Sequence, residues 1–308
     1  MESSVEQPAA TTTTSTTTTS TTTTAITTPA STIVTTVATT SSAPDRSEKT
    51  LRDYRELIGT ILTVEGPSPE AWAHEPAPPT WRFETYDSDG RSNLVMVHEP
   101  AERSHDVPAL VYLHGGFSMS PSFAAEVLTD YVDAGFTVVV PTYRGENGNT
   151  GNFELLFGEV NDAAAAIEWT AALDSVDPDS VFVIGHSVGG GIADLLALEP
   201  NLPIALSASI GALYDESFVI EYGPFDSTRD QEVVPRLAVN YLPRLPRRHI
   251  AYFGTDDSYQ ATVDWIAQFP ILMQPRPGLL DIVEVPGDHF DSLAPALDRF
   301  RAEIESSL

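Results

Sequence analysis

The segment Val181-Phe182-Val183-Ile184-Gly185-His186-Ser187-Val188-Gly189-Gly190 runs an apolar stretch into Gly-x-Ser-x-Gly. Glycine on both flanks permits a turn tight enough to force Ser187 into a strained conformation with its side chain exposed. A serine hydroxyl is a poor nucleophile at neutral pH, so acyl-transfer chemistry here needs a base, itself oriented by a carboxylate. Taken alone, the five-residue pattern also fits a glycine-rich turn around a structural serine. A strand before it and a helix after it give it weight. The Val188 amide, in the first turn of that helix, points where an oxyanion would form.

Seven histidines are available as the base. His74 and His98 each precede Glu-Pro and read as surface or structural residues; His105 falls in a polar loop. His186 neighbours the serine, but the turn directs its ring away from the hydroxyl, which suits packing. His249 opens a strand, the wrong end of the sheet. His289, in Val285-Pro286-Gly287-Asp288-His289-Phe290, directly follows the last apolar run and is the expected base. The acid should follow the preceding strand, where Ile250–Phe253 leads into Gly254-Thr255-Asp256-Asp257-Ser258. Either aspartate could serve, the other capping a helix that begins near Ser258. Asp257 lies 70 residues after Ser187 and 32 before His289. A further oxyanion donor is expected from His114-Gly115-Gly116-Phe117, through the backbone amide of Gly116 or Phe117.

These groups need a frame that brings distant residues together. Short apolar runs at Ala109–Leu113, Phe136–Val140, Val181–Ile184, Ile204–Ser207, Ile250–Phe253 and Leu280–Val285 alternate with helical patterns. The helices are expected over Ala124–Ala134, Glu159–Leu173, Gly189–Leu198, Tyr259–Gln268 and Ala294–Ser306. Near-continuous apolar strands separated by helices predict a doubly wound, mostly parallel α/β sheet covered on both faces. Ahead of it, Arg82–Tyr86 and Asn93–His98 flank Asp87-Ser88-Asp89-Gly90 and predict an antiparallel hairpin. That acidic turn resembles a calcium loop only superficially, because no later acidic ligands follow. Leu51–Leu62 has Leu51, Tyr54, Leu57, Ile58 and Ile61 at helical spacing. Residues 214–248, with Phe218, Ile220, Tyr222 and Phe225, form the longest stretch between strands and stand where a small lid could shape an acyl pocket.

Composition removes several classes. Forty-four acidic side chains against sixteen basic ones leave a net charge of −28, with Lys49 the single lysine. Nucleic acid and anionic lipid both need clustered cations, so neither is an expected partner. Absence of cysteine excludes disulfides, thiolate metal sites and a cysteine nucleophile. Asp288-His289-Phe290-Asp291 has no second histidine at ligand spacing, and no Gly-x-Gly-x-x-Gly follows a strand, so neither metal nor dinucleotide cofactor is expected. No apolar run is long enough to span a membrane. Residues 1–50 are dominated by threonine and read as a disordered tail ahead of a catalytic domain over 51–308. A threonine-rich stalk suits an extracytoplasmic protein; the start Met1-Glu2-Ser3-Ser4, with no basic stretch or apolar run, suits the cytoplasm.

From about Pro108 onward the chain resembles the α/β-hydrolase superfamily, and within it the prolyl-oligopeptidase-type catalytic domain. The resemblance rests on His114-Gly115-Gly116, Thr142-Tyr143-Arg144-Gly145, the Glu159–Leu173 helix, Gly185-His186-Ser187-Val188-Gly189-Gly190, Gly254-Thr255-Asp256-Asp257 and Gly287-Asp288-His289. It implies Asp257 as the acid, three residues after Gly254, with Asp256 in reserve. There is no room for a β-propeller before the first core strand, and Val188 replaces the aromatic residue of many family peptidases; both departures direct the expectation to small carboxylic esters, with short peptides as the alternative. A non-catalytic binding domain of the same fold is opposed by the presence of nucleophile, base and acid in register.

Overall fold

Alternating apolar side chains build a sheet of eight strands in the order β1-β2-β4-β3-β5-β6-β7-β8. They are β1 (Arg82–Ser88), β2 (Arg91–His98), β3 (Val107–Leu113), β4 (Thr137–Pro141), β5 (Val176–His186), β6 (Leu206–Ile210), β7 (His249–Gly254) and β8 (Leu280–Val285). The hairpin β1–β2 is antiparallel and adds antiparallel to β4; β4 through β8 run parallel. In this computed structural model the described residues are 50–70, 75–101, 107–258 and 267–308. The threonine-rich tail, His74, His105 and the expected helix up to residue 266 lie outside them.

The two faces separate by strand period. Ala109, Val111 and Leu113 of β3 join Val181 and Val183 of β5 on one face. There they meet Leu51 of α1 (Leu51–Ile58), Ile167 of α4 (Gly158–Ala171) and Ile192 of α5 (Val188–Ala197). Leu110 and Tyr112, with Phe182 and Ile184, occupy the other. That face is covered by Ala124 of α2 (Pro121–Val127), Tyr131 of α3 (Thr129–Asp133) and Phe300 of the last helix, Leu293–Glu305. This is the doubly wound, mostly parallel α/β sheet with a leading antiparallel hairpin that the apolar runs predict. Asp89 and Gly90, both at positive φ (47° and 74°), close the hairpin as a two-residue turn, and Asp89 receives Arg144 at 2.8 Å.

Three local readings need correction. The helix expected over Leu51–Leu62 ends at Ile58, because Gly59 takes a φ of 62° and donates back to the Arg55 carbonyl. Its apolar stripe is not its buried stripe: Tyr54, Leu57 and Ile61 are exposed, while Leu51 and Arg55 are buried. The helix expected over Ala124–Ala134 is divided at Leu128 into α2 and α3, where the Thr129 hydroxyl donates to the Ala125 and Glu126 carbonyls. β6 begins at Leu206, so its apolar run enters the sheet two residues later than Ile204 suggests.

Arg55 is buried because its guanidinium has carbonyl partners. It donates to Pro235 at 2.8 Å and to Leu156 and Phe157 at 2.7 Å each. Arg236, also fully buried, donates to the Leu155 carbonyl at 2.8 Å and to Glu232, and lies 3.9 Å from the centre of the Phe225 ring. Both arginines therefore hold the carbonyls of a segment in which Leu155 and Leu156 stand at φ 48° and 56°. Amides of the same segment are taken by Glu159: Glu154 at 2.7 Å, Leu155 at 3.2 Å and Phe157 at 3.2 Å. The segment is strained and is held from both sides.

Burial raises the Glu159 carboxyl from 4.5 to about 7, in spite of the amide hydrogen bonds and Arg144. Its folded pKa exceeds its unfolded one, so between about pH 4.5 and 7 the native state binds more protons. Its contribution to stability is therefore present in full at the acid end of that window and is lost as pH rises through it. Glu159→Gln is expected to be less stable than the parent near pH 5 and to show a flatter stability profile from pH 5 to 7.5. Chemical denaturation across that range, parent against variant, measures the difference; a parent that gains stability relative to the variant as pH rises contradicts it.

Candidate active site

β5 delivers Ser187 to the carboxyl end of the parallel strands, where the backbone turns directly into α5. Ser187 adopts φ 55°, ψ −115°, a region costly for a residue with a Cβ. A Cβ on Gly185 would meet the Gly189 carbonyl oxygen at 2.0 Å, and one on Gly189 would meet that of Leu113 at 2.1 Å. Glycine is thus required at both flanks by contact as well as by turn geometry. The Ser187 amide donates to Ile210 at 2.8 Å, and its carbonyl accepts from Gly191 at 3.0 Å, which opens the helix.

His289 follows β8, and its Nδ1 lies 3.0 Å from Asp257 Oδ2. Both residues are buried, His289 at 5% and Asp257 at 4% exposure. Of the two aspartates, it is Asp257 that faces the imidazole; Asp256 is exposed and accepts from the Thr255 hydroxyl. The turn holding them is fixed by its backbone, with the Asp256 amide donating to Gly287 and that of Thr255 to Val285. Gly211, after β6, makes room for the pair: at φ 52°, its missing Cβ would lie 3.0 Å from the His289 ring and 3.2 Å from Asp257 Oδ2. No pattern in the sequence singles that glycine out.

His186 does more than pack. Its Nε2–H donates to the His289 carbonyl at 2.8 Å, and the two rings lie 5.0 Å apart. Burial lowers the His186 pKa to about 4, so at neutral pH the ring is an uncharged donor. Its Nδ1 also lies 3.1 Å from where a Gly115 Cβ would stand, and Ser187 Cβ lies 3.2 Å from the same point. One imidazole therefore touches the loop after β3 and the backbone of His289. Sequence reading missed this hydrogen bond because the acceptor is a carbonyl 103 residues later.

The loop after β3 carries Gly116 at φ 71° and Phe117. Phe117 N–H lies 3.5 Å from Glu70 Oε2, and the Ser68 hydroxyl donates to the Phe117 carbonyl. His114 braces the loop from behind, with Nε2 2.9 Å from Glu146 Oε1 and its ring stacked on Tyr143. Burial alone would lower the His114 pKa, but the Glu146 carboxylate outweighs it and raises it. The Phe117 ring meets Phe153 at 5.3 Å, and Phe218 and Tyr222 of α6 (Glu216–Tyr222) at 6.0 and 5.6 Å. Those two come from the long stretch after β6. Among the described residues, no group of three or more His, Asp or Glu side chains is placed to hold a metal ion, and no helix is long and apolar enough to cross a membrane.

His98 and His249 are structural: His98 Nδ1 meets the Thr80 carbonyl, and His249 opens β7 with both ring nitrogens engaged in the interior. Residues 59–234, more than half of the chain, match the family described as X-Pro dipeptidyl-peptidase (S15 family). The chain belongs to that family. The S15 match includes the His114–Phe117 loop and Ser187 and ends before Asp257 and His289. The S15 chain is 28% identical over 130 residues to the uncharacterized peptidase YtmA of Bacillus subtilis, a match covering 42% of the chain and 50% of the relative. It thus spans about half the length of that relative. Its fold is shared with a puromycin-hydrolyzing peptidase of Mycobacterium tuberculosis (TM-score 0.61, 18% identity, 73% of this chain and 38% of that one). It is shared equally with an esterase of Pyrobaculum calidifontis (TM-score 0.57, 21% identity, 75% and 84%). The S15 chain has the α/β-hydrolase fold.

Removal of the His186 donor leaves the His289 carbonyl without that partner in a buried setting. His186→Phe is expected to destabilise the protein by about 1–3 kcal/mol, roughly a 2–12 °C fall in Tm for a domain of this size. A thermal melt of the variant tests this; an unchanged Tm would show that the hydrogen bond carries no net stabilisation.

Proposed function

We propose that the chain hydrolyses carboxylic esters by acyl transfer through Ser187, with His289 as proton carrier and Asp257 as the group that orients it. The observation that carries this reading is a serine strained at φ 55° at the end of β5, on the same rim as a buried His289–Asp257 hydrogen bond. Ser187 Oγ attacks the substrate carbonyl while His289 Nε2 takes its proton. Asp257 accepts from Nδ1–H, fixes that tautomer and favours the imidazolium that forms. Negative charge on the former carbonyl oxygen is held by the Val188 amide and that of Gly116 or Phe117. His289 passes its proton to the departing oxygen, and water, deprotonated by the same ring, then releases the acid. None of these steps calls for a metal or cofactor.

Phe117, Phe153, Phe218 and Tyr222 supply an apolar wall beside the oxyanion loop, which suits an apolar acyl group. Residues 214–248, which bring Phe218 and Tyr222, serve in this reading as the lid. Short peptides are the second reading, favoured by the S15 family description and by the peptidase among the proteins of similar fold. The two differ only in the leaving atom, oxygen or nitrogen.

Ser187→Ala is expected to abolish labelling by a fluorophosphonate probe and to lower ester turnover by on the order of 10⁴-fold or more, with an unchanged melting curve. Retention of most of the activity removes Ser187 from the mechanism. Asp257→Asn leaves the imidazole in the wrong tautomer and should lower kcat by on the order of 10³-fold or more, whereas Asp256→Asn should stay within a few-fold. The opposite ranking moves the acid to Asp256. Parallel assays of chromogenic short-chain esters and aminoacyl anilides separate the substrate classes, and a higher kcat/KM on the anilides decides for a peptidase.

A further inference from the structure

An aromatic ring stands beside His289, apart from the apolar wall around Phe117. Phe290 is 67% exposed, yet its ring lies 5.3 Å from the His289 imidazole at an interplanar angle of 88°, and 6.1 Å from that of His186 at 63°. Its backbone is not free to move the ring away. Asp288 Oδ1 accepts from the amides of Phe290 and Asp291 at 2.9 Å each, and the Ser292 amide donates to the Asp288 carbonyl. Those amide bonds also hold the Asp288 carboxyl below its usual range, so the turn stays charged and closed at neutral pH.

A single exposed phenylalanine is ordinary on a protein surface. This one is placed by the proton path. In acyl transfer the ring that takes the serine proton returns it to the leaving atom, so the leaving group must lie against His289, on the side away from the oxyanion donors. The aromatic side chain next to that imidazole is then the surface the leaving group meets. Phe117 stands on the loop after β3, and Phe153, Phe218 and Tyr222 pack against it, so these rings fall to the acyl group. We propose that Phe290 is the specificity residue for the leaving group, and that it selects substrates whose departing alcohol or amine carries a neutral aromatic ring. The inference rests on the Ser187–His289 reading above and holds for esters and amides alike. Asp288 and Asp291, both exposed and within two residues of Phe290 along the chain, disfavour an anionic one.

The test compares benzyl acetate with ethyl acetate on the full chain, for the parent, Phe290→Ala and Phe290→Leu. The two substrates share an acyl group, and dividing variant by parent removes their intrinsic reactivity. Phe290→Ala is expected to lower kcat/KM on benzyl acetate about tenfold, the size of one aromatic contact, while ethyl acetate stays within about twofold. Phe290→Leu, which keeps apolar bulk without a ring face, should fall between. An equal loss on both esters overturns the proposal, since Phe290 would then act by positioning His289. An unchanged rate on benzyl acetate overturns it as well. Ser187→Ala, run alongside with fluorophosphonate labelling of the parent, separates failure of the underlying reading: a parent that neither labels nor shows Ser187-dependent hydrolysis removes the mechanism itself, and the proposal with it.

Discussion

Everything in the site depends on a backbone crossing that leaves no space for side chains. Where β3, β5 and α5 meet, Gly185 faces the Gly189 carbonyl and Gly189 faces that of Leu113, at distances a Cβ would overlap. This contact lets α5 start against the ends of two neighbouring strands. It also fixes Ser187 at positive φ, since the chain has no other way to pass from β5 into the helix within so few residues. The loop after β3 is drawn in by the same crossing: Gly115 packs against His186 and Ser187. Ser187 and the loop after β3 are thus placed by one steric constraint, and a methyl group at position 185 or 189 would displace both.

A second constraint is electrostatic and works from further away. The segment Phe153–Phe157 has two successive leucines in the left-handed region, costing of order 1–3 kcal/mol each. Arg55 and Arg236 donate to its carbonyls, and Glu159 accepts its amides. Arg144 closes the other side through Asp162, with 2.8 Å contacts from its backbone amide and from its guanidinium. These groups are buried, and each is tolerated because its partners are in place. The result is that Leu156 stands 3.5 Å from the Cβ position of Gly191 in α5, and Phe153 meets the edge of Phe117. The N-terminal helix and the stretch after β6 are connected in this way to the walls of the site.

The strands were legible because their apolar runs are short, continuous and separated by helical periodicity. Ser187 was legible because a steric necessity writes itself locally, as two glycines around one serine. His289 and Asp257 were legible through topology, as residues following the last two strands. What escaped sequence reading is whatever depends on a partner far along the chain. Arg55 looks like the polar face of an amphipathic helix, and only the carbonyls of residues 156, 157 and 235 make it interior. Gly211 looks like any loop glycine until His289 is placed beside it. His186 looks like packing, because its acceptor is a main-chain oxygen, which no side-chain pattern reveals. Ser68 and Glu70 likewise reach Phe117, on the loop after β3, from a segment without local signature.

The interior offers a control on what makes such a site. Ser207 Oγ lies 2.8 Å from His249 Nδ1, and His249 Nε2 lies 2.7 Å from Asp194 Oδ1. By residue type and distance this is a serine, a histidine and an aspartate in a hydrogen-bonded chain, as complete as any on the rim. Yet all three are wholly buried. Ser207 lies within β6, held by its ladder to β5 and β7, with no strained turn to project its hydroxyl and no glycine loop beside it. The three groups bond to one another between α5 and the sheet, with Asp194 Oδ2 buried and without a hydrogen-bond partner. The contrast is one of position: hydrogen bonding aligns an imidazole in the interior as well as at the rim, but among the described residues the carboxyl ends of β5, β7 and β8 are where a buried His–Asp pair and a serine at positive φ both stand.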